Sequence, residues 1–122
     1  MSRVGILTFS DGRDFVHQGI AEFAVGVEGR IAAACEAFGA EVVRGTGPIT
    51  SSTMAVREAR RLAAQRPDLT IFNYPVWAFP HFSVHAAHAT VGPLLLSSNI
   101  DPTYPGMVRD AGGRREPGPA RT

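Results

Sequence analysis

Val4-Gly5-Ile6-Leu7-Thr8-Phe9-Ser10-Asp11-Gly12-Arg13 decides how this chain is read. Val4, Ile6, Leu7 and Phe9 make a nearly continuous apolar run of strand length, the pattern of a parallel strand covered on both faces. Ser10-Asp11-Gly12-Arg13 then breaks it with turn chemistry, since Gly12 is free to take positive φ and Asp11 can bond its own downstream backbone. In an open α/β sheet, ligands gather outside the carboxyl ends of the strands. Arg13 therefore stands where a substrate would be met, and the same guanidinium is equally placed to pair with Asp11 or Asp14. Position does not choose between these two readings.

Downstream, Val16, Ile20, Phe23, Val27, Ile31, Ala34, Cys35 and Phe38 recur at three and four residues and predict one helix from Asp14 to Phe38, with Gly39 as its stop. Glu22, Glu28, Arg30 and Glu36 lie mostly off that stripe. Gly26 and Gly29 weaken the helix by about 1 kcal/mol each relative to Ala, and they read as points of close packing on the sheet. Glu41 to Arg44 predicts a second strand, followed by the loop Gly45-Thr46-Gly47-Pro48. Ser51, Ser52 and Thr53 offer caps for a helix from Thr53 to Gln65, apolar at Met54, Ala55, Ala59, Leu62 and Ala63. Arg57, Arg60 and Arg61 form its solvated face. Leu69 to Tyr74 predicts the third strand, which runs into Pro75-Val76-Trp77-Ala78-Phe79-Pro80, a loop whose aromatics suit the lining of a pocket. A weak helix from Phe82 to Thr90 and a fourth strand, Leu94 to Ser98, complete the pattern.

Strand and helix alternate through four units with crossovers long enough for right-handed parallel connections. The expected fold is a Rossmann-like three-layer α/β domain with a four-stranded parallel sheet of order 2-1-3-4. That winding gathers Ser10 to Arg13, Gly45 to Gly47, Asn73 to Trp77 and Ser97 to Asn99 along one rim.

The 122 residues suit a single domain; 44% are hydrophobic and 19% charged, which excludes a wholly disordered chain. Residues 1–108 carry eight Arg against nine acids and show no basic stripe for nucleic acid, while residues 109–122 carry four Arg against two acids. Cys35, the single cysteine, excludes an internal disulfide, and no apolar stretch approaches membrane-spanning length. A cytoplasmic protein without membrane or nucleic-acid partners is the expectation. The glycines needed for a dinucleotide fingerprint or a P-loop are missing after the first strand. His81, His85 and His88 fall at i, i+4 and i+7, a spacing at which three imidazoles on one helix face approach a metal, with Pro80 and the lack of a nearby carboxylate against it.

Ser10-Asp11-Gly12-Arg13, Asn73-Tyr74-Pro75-Val76-Trp77 and Tyr104-Pro105-Gly106-Met107-Val108, in this order and spacing, resemble the N-terminal domain of the L-fucose isomerase family. The likeness covers about residues 3 to 108. These are metal-dependent aldose–ketose isomerases related in fold to L-arabinose isomerase. The resemblance implies a three-domain oligomeric enzyme of carbohydrate metabolism, in which manganese binds the sugar hydroxyls and carboxylates shuttle a proton through an enediol. It places the metal ligands in later domains, so that no cofactor and no catalytic residue belongs to this chain. It further implies that the N-terminal domain reaches a neighbouring subunit's active site and holds the sugar through two residues, matched here by Arg13 and Trp77. An Arg fork donates to several hydroxyls and an indole face covers the apolar side of a sugar, so both residue types suit the role. Phe79 and Pro80 depart from the small polar neighbours expected around that Trp in the L-fucose enzyme, which leaves the choice of sugar open.

The domain is expected to end at residue 108. Residues 109–122, rich in Arg, Gly and Pro, offer no helical stripe where the family continues into a Leu- and Ala-rich helix, and are expected to be disordered. Permitted codons for this tail, read one base on, encode Gly-Met-Leu-Ala-Ala-Ala-Gly-Asn-Leu-Asp, so a frame shift just after Val108 and a truncated, inactive remnant are the expectation. The nucleotide sequence tests it: an isomerase frame must resume downstream. Two other readings carry different expectations. A stand-alone Rossmann-like binding module that pairs with isomerase subunits would co-purify with a larger partner, and a small metal protein built on the three histidines would bind zinc.

Overall fold

The computed structural model describes residues 2–76 and 80–98. Four strands and three helices alternate as β1 (Arg3–Thr8), α1 (Asp14–Ala37), β2 (Glu41–Arg44), α2 (Ser52–Ala64), β3 (Leu69–Tyr74), α3 (Pro80–Ala89) and β4 (Leu94–Ser98). Every strand pairing is parallel and the order is β2-β1-β3-β4, as the sequence predicts. The expected domain boundary at residue 108 and the whole 109–122 tail lie outside the described residues.

Alternation along β1 divides the core. Val4 and Ile6 point to one face, where they meet Ile71 of β3 and Ala32 of α1. Leu7 and Phe9 point to the other, packing with Phe72, Ile49, Ala55, Ala59 and Leu62 under α2, and with Phe82 and Ala86 of α3. Phe9 adds a tilted contact with Phe72, centroids 4.9 Å apart, and a stacked one with Tyr74 at 5.1 Å. Such ring pairs contribute about 0.5–1.5 kcal/mol beyond their buried area. The bridge between Phe9 and Ile49 carries β1 one step past its regular end and ties the turn after it to the loop after β2.

Helix α1 departs from the predicted stripe. Of that stripe Val27 is buried and Ile31 and Cys35 pack partly buried against the core, but Phe38 is 94% exposed, and the other buried residues, Ala24, Glu28 and Ala32, lie outside it. The contact line therefore runs along a narrower face, and Glu28 lies within it. Gly26 and Gly29 are not points of close packing: a Cβ at Gly26 would meet nothing within 4 Å, and one at Gly29 only an Arg44 nitrogen at 4.0 Å. The helix does stop at Gly39. With φ at 91°, this residue lets its own N–H reach the Glu36 carbonyl at 2.9 Å and the Ala40 N–H reach that of Cys35 at 3.1 Å, a Schellman closure.

Helix α2 is capped by the Ser51 hydroxyl, which accepts from the Met54 N–H at 3.1 Å. Among its expected solvated arginines, Arg57 and Arg60 are exposed, but Arg61 turns in to donate to the Arg44 carbonyl at 2.6 Å. Buried Glu58 is the reason the helix lies so close. It accepts from the Thr46 N–H at 2.8 Å, closing the loop after β2 over the sheet edge. Gly45 makes this approach possible, because a Cβ there would stand 3.3 Å from Leu7 and 3.4 Å from the Glu58 carboxylate.

Helix α1 packs on β1 and β2, and α2 and α3 lie together. Strand β4 is thinly covered: Leu94, Leu95 and Leu96 are 39%, 48% and 63% exposed. Among the described residues no helix is long and apolar enough to cross a membrane.

Candidate functional site

The carboxyl ends of β1, β2 and β3 converge as the winding predicts. Phe9 donates its N–H to the Asn73 carbonyl at 2.9 Å, and Ser10 donates to that of Ile49 at 2.8 Å. These bonds fix the turn that follows. Asp11 is buried there, its carboxylate accepting from the Arg13 backbone N–H at 2.8 Å, from Nε at 2.9 Å and from Nη2 at 2.7 Å. One oxygen thus closes an Asx turn while the pair as a whole holds the guanidinium fork bidentately.

Of the two acids that the pairing reading offered Arg13, Asp11 is its partner, and Asp14 is not among the ion pairs of the described residues. The pairing does not exhaust the residue. A guanidinium carries five N–H donors and Asp11 engages two, so the others face outward on a side chain that is 53% exposed. Its carbon also lies 5.7 Å from the ring centroid of exposed Phe15, a cation–π contact that steadies the exposed half. Hydrogen bonds from the Arg13 side chain hold the Asp11 carboxyl below the usual carboxylate range, against the opposing effect of burial, and the same contacts push the Arg13 pKa up. Asp11 thus fixes the Arg13 guanidinium, three of whose five donors lie outside the pair.

Two further arrangements were not read from the sequence. The Ser10 hydroxyl lies 2.8 Å from His17 Nδ1. Ser10 has no exposed surface, so this pair pins the turn to the first part of α1 and presents no nucleophile. Behind the turn runs a buried polar relay. Arg44 Nε donates to Glu28 Oε2 at 2.6 Å, Thr8 donates its hydroxyl to Glu28 Oε1 at 2.6 Å, and Asn73 Nδ2 donates to Thr8 at 3.0 Å. It joins β2, α1, β1 and β3 across the face that the apolar stripe was expected to fill. The only sequence signal for it was negative: Thr8 and Asn73 are polar residues inside buried strands.

Trp77, the second sugar-holding residue that the resemblance implies, lies outside the described residues, as do Phe79, Asn99 and Tyr104 to Val108. His81, His85 and His88 all project from α3 on its exposed side. Among the described residues no group of three or more His, Cys, Asp or Glu is placed to hold a metal ion.

No curated protein and no solved structure matches the chain. A family model does, and it describes the first N-terminal domain of L-fucose isomerase. Its match runs over residues 1–113 and takes in every strand and helix described above, together with the Asp11–Arg13 turn. By that match the chain belongs to the L-fucose isomerase family, as its first N-terminal domain.

Proposed function

We propose that this domain supplies one wall of the sugar site in an oligomeric, L-fucose isomerase-like aldose–ketose isomerase, with Arg13 and Trp77 contacting the sugar, and that it turns over no sugar alone. The observation that carries the reading is the Arg13 guanidinium, held by Asp11 at the carboxyl end of β1 with donors still free. A cation pre-oriented in this way loses little further freedom on meeting a polyol, and its planar fork matches two neighbouring hydroxyls. Manganese and the carboxylates for proton transfer come from other domains of the assembly in this reading, and the partners are isomerase subunits.

The chain has one tryptophan, so its fluorescence reports on position 77 alone. Titration with L-fucose is expected to change that emission saturably, and Arg13→Gln is expected to abolish the change while the chain still melts cooperatively, at a lower temperature because buried Asp11 loses its partner. Added manganese is expected to bring no isomerisation. A flat titration in the parent chain would overturn the substrate-contact assignment, and ketose formation by this chain with manganese would overturn its dependence on other domains.

A further inference from the structure

An open cleft of about 230 Å³ lies beside α1, over the carboxyl ends of β3 and β4. Its floor is Asn73 and Ser97, residues paired in register on neighbouring strands, and its walls include Val27, Ile31 and Arg30 of α1. None of the lining residues belongs to the Ser10–Arg13 turn.

The relay behind this floor has a direction. Glu28, in its ion pair with Arg44, only accepts, so Thr8 must spend its single hydroxyl hydrogen on Glu28. The Thr8 oxygen is then an acceptor toward Asn73, and the amide must present its NH2 to Thr8. Thr8 lies on the β1 side of β3. The opposite end of the amide, Oδ1, is therefore turned to the β4 side, where the cleft is. Oδ1 is buried and has no hydrogen-bond partner among the described residues. A buried acceptor without a donor is the uncommon state for an amide, and a donor from the cleft would complete it. Beside it stand the Ser97 hydroxyl and Arg30, which makes no ion pair among the described residues.

We propose that this cleft binds a small hydroxy acid, a hydroxyl of which donates to Asn73 Oδ1 while the carboxylate meets Arg30. The apolar side of α1 then covers the carbon chain. The volume is that of roughly seven or eight waters, room enough for a sugar-sized acid.

Three matched probes separate the parts of the proposal: D-gluconate carries hydroxyls and charge, D-sorbitol hydroxyls only, and acetate charge only. Titrated into the whole chain at constant ionic strength and followed by amide NMR, gluconate is expected to shift Ser97 and Val27 and to bind at least about tenfold tighter than either of the others. Asn73→Leu is expected to weaken gluconate about tenfold, and Arg30→Gln to bring it down to the level of sorbitol. Arg30 is exposed, so that second variant decides the matter even where Asn73→Leu fails to fold. Equal binding of gluconate and acetate, or gluconate affinity unchanged in Arg30→Gln, would overturn the proposal. No shift at Ser97 and Val27 with any probe would do so too, and would leave the cleft to water.

Discussion

Replacing Thr8 by Val tests the relay where it is most sensitive. The change keeps shape and raises strand propensity slightly, so any loss comes from the missing hydroxyl. Two bonds disappear together: the 2.6 Å bond to the ion-paired Glu28 and the 3.0 Å bond from Asn73. A hydrogen bond to a charged group contributes about 1.5–3 kcal/mol and a neutral one about 0.5–1.5 kcal/mol. Both partners stay buried with nothing in exchange, so the expected cost is about 2–4 kcal/mol. For a domain of this size the urea slope is roughly 1–1.5 kcal/mol/M, which makes the midpoint fall by about 2 M. Thr8→Ser keeps the hydroxyl and loses only a methyl, a cost of about 1 kcal/mol or less. Urea unfolding followed by circular dichroism at neutral pH measures all three proteins. A Thr8→Val midpoint within about 0.5 M of the parent, at unchanged slope, would refute the reasoning, because the relay would then be a set of proximities without energy.

Acid should act through two depressed carboxyls. Asp11 is lowered by its bonds from Arg13; Glu58 is pushed up by burial but brought below its ordinary value by the Thr46 N–H and by Arg61 and Arg57. Their stabilisation is complete above the unfolded value of about 4 and is lost as pH falls through the lower folded values, so Asp11→Asn and Glu58→Gln should each flatten the acid limb of the melting temperature. Burial raises the Tyr74 phenol, against its hydrogen bond to Ser83, so its contribution is complete below about pH 10 and lost as pH rises through the folded value. Phenolate absorbance should show one of the two tyrosines ionising late, and Tyr74→Phe should remove that one. The exposed leucines of β4 should drive concentration-dependent self-association, with Leu96→Lys reducing it in sedimentation velocity; a monomer across the whole range in the parent would contradict this.

The fold was legible because its signals are local. β2, β3 and β4 have the predicted bounds, and the sheet order is that of the simplest winding compatible with right-handed parallel crossovers. Helix α1 shows where such reading stops. A carboxylate on an apolar helix counts as solvent-facing until its partners are known, and those of Glu28 come from β1 and from β2. Glu58 was missed for the same reason, since the Thr46 N–H that holds it belongs to a loop twelve residues earlier. At the candidate site the position of Arg13 was readable, whereas the choice of Asp11 over Asp14 depended on the turn being closed by backbone bonds from Phe9 and Ser10. His17 gave no signal, because a histidine early in a helix has many uses and only the fold brings it to Ser10.

The place of β1 between β2 and β3 also bears on how the chain acquires its structure. The Thr8–Asn73 bond spans 65 residues, and closing a loop of that length costs about 4 kcal/mol of chain entropy before any contact repays it. During synthesis β1 emerges before the other three strands of this sheet, yet one of its edges has no partner until β3 has been made. In that interval its apolar residues have only β2, α1 and α2 to cover them. Refolding should therefore be slow for so small a domain, with its barrier set by the docking of β3. The earliest strand of this sheet is completed late, and the nascent chain is most exposed to aggregation just before β3 emerges.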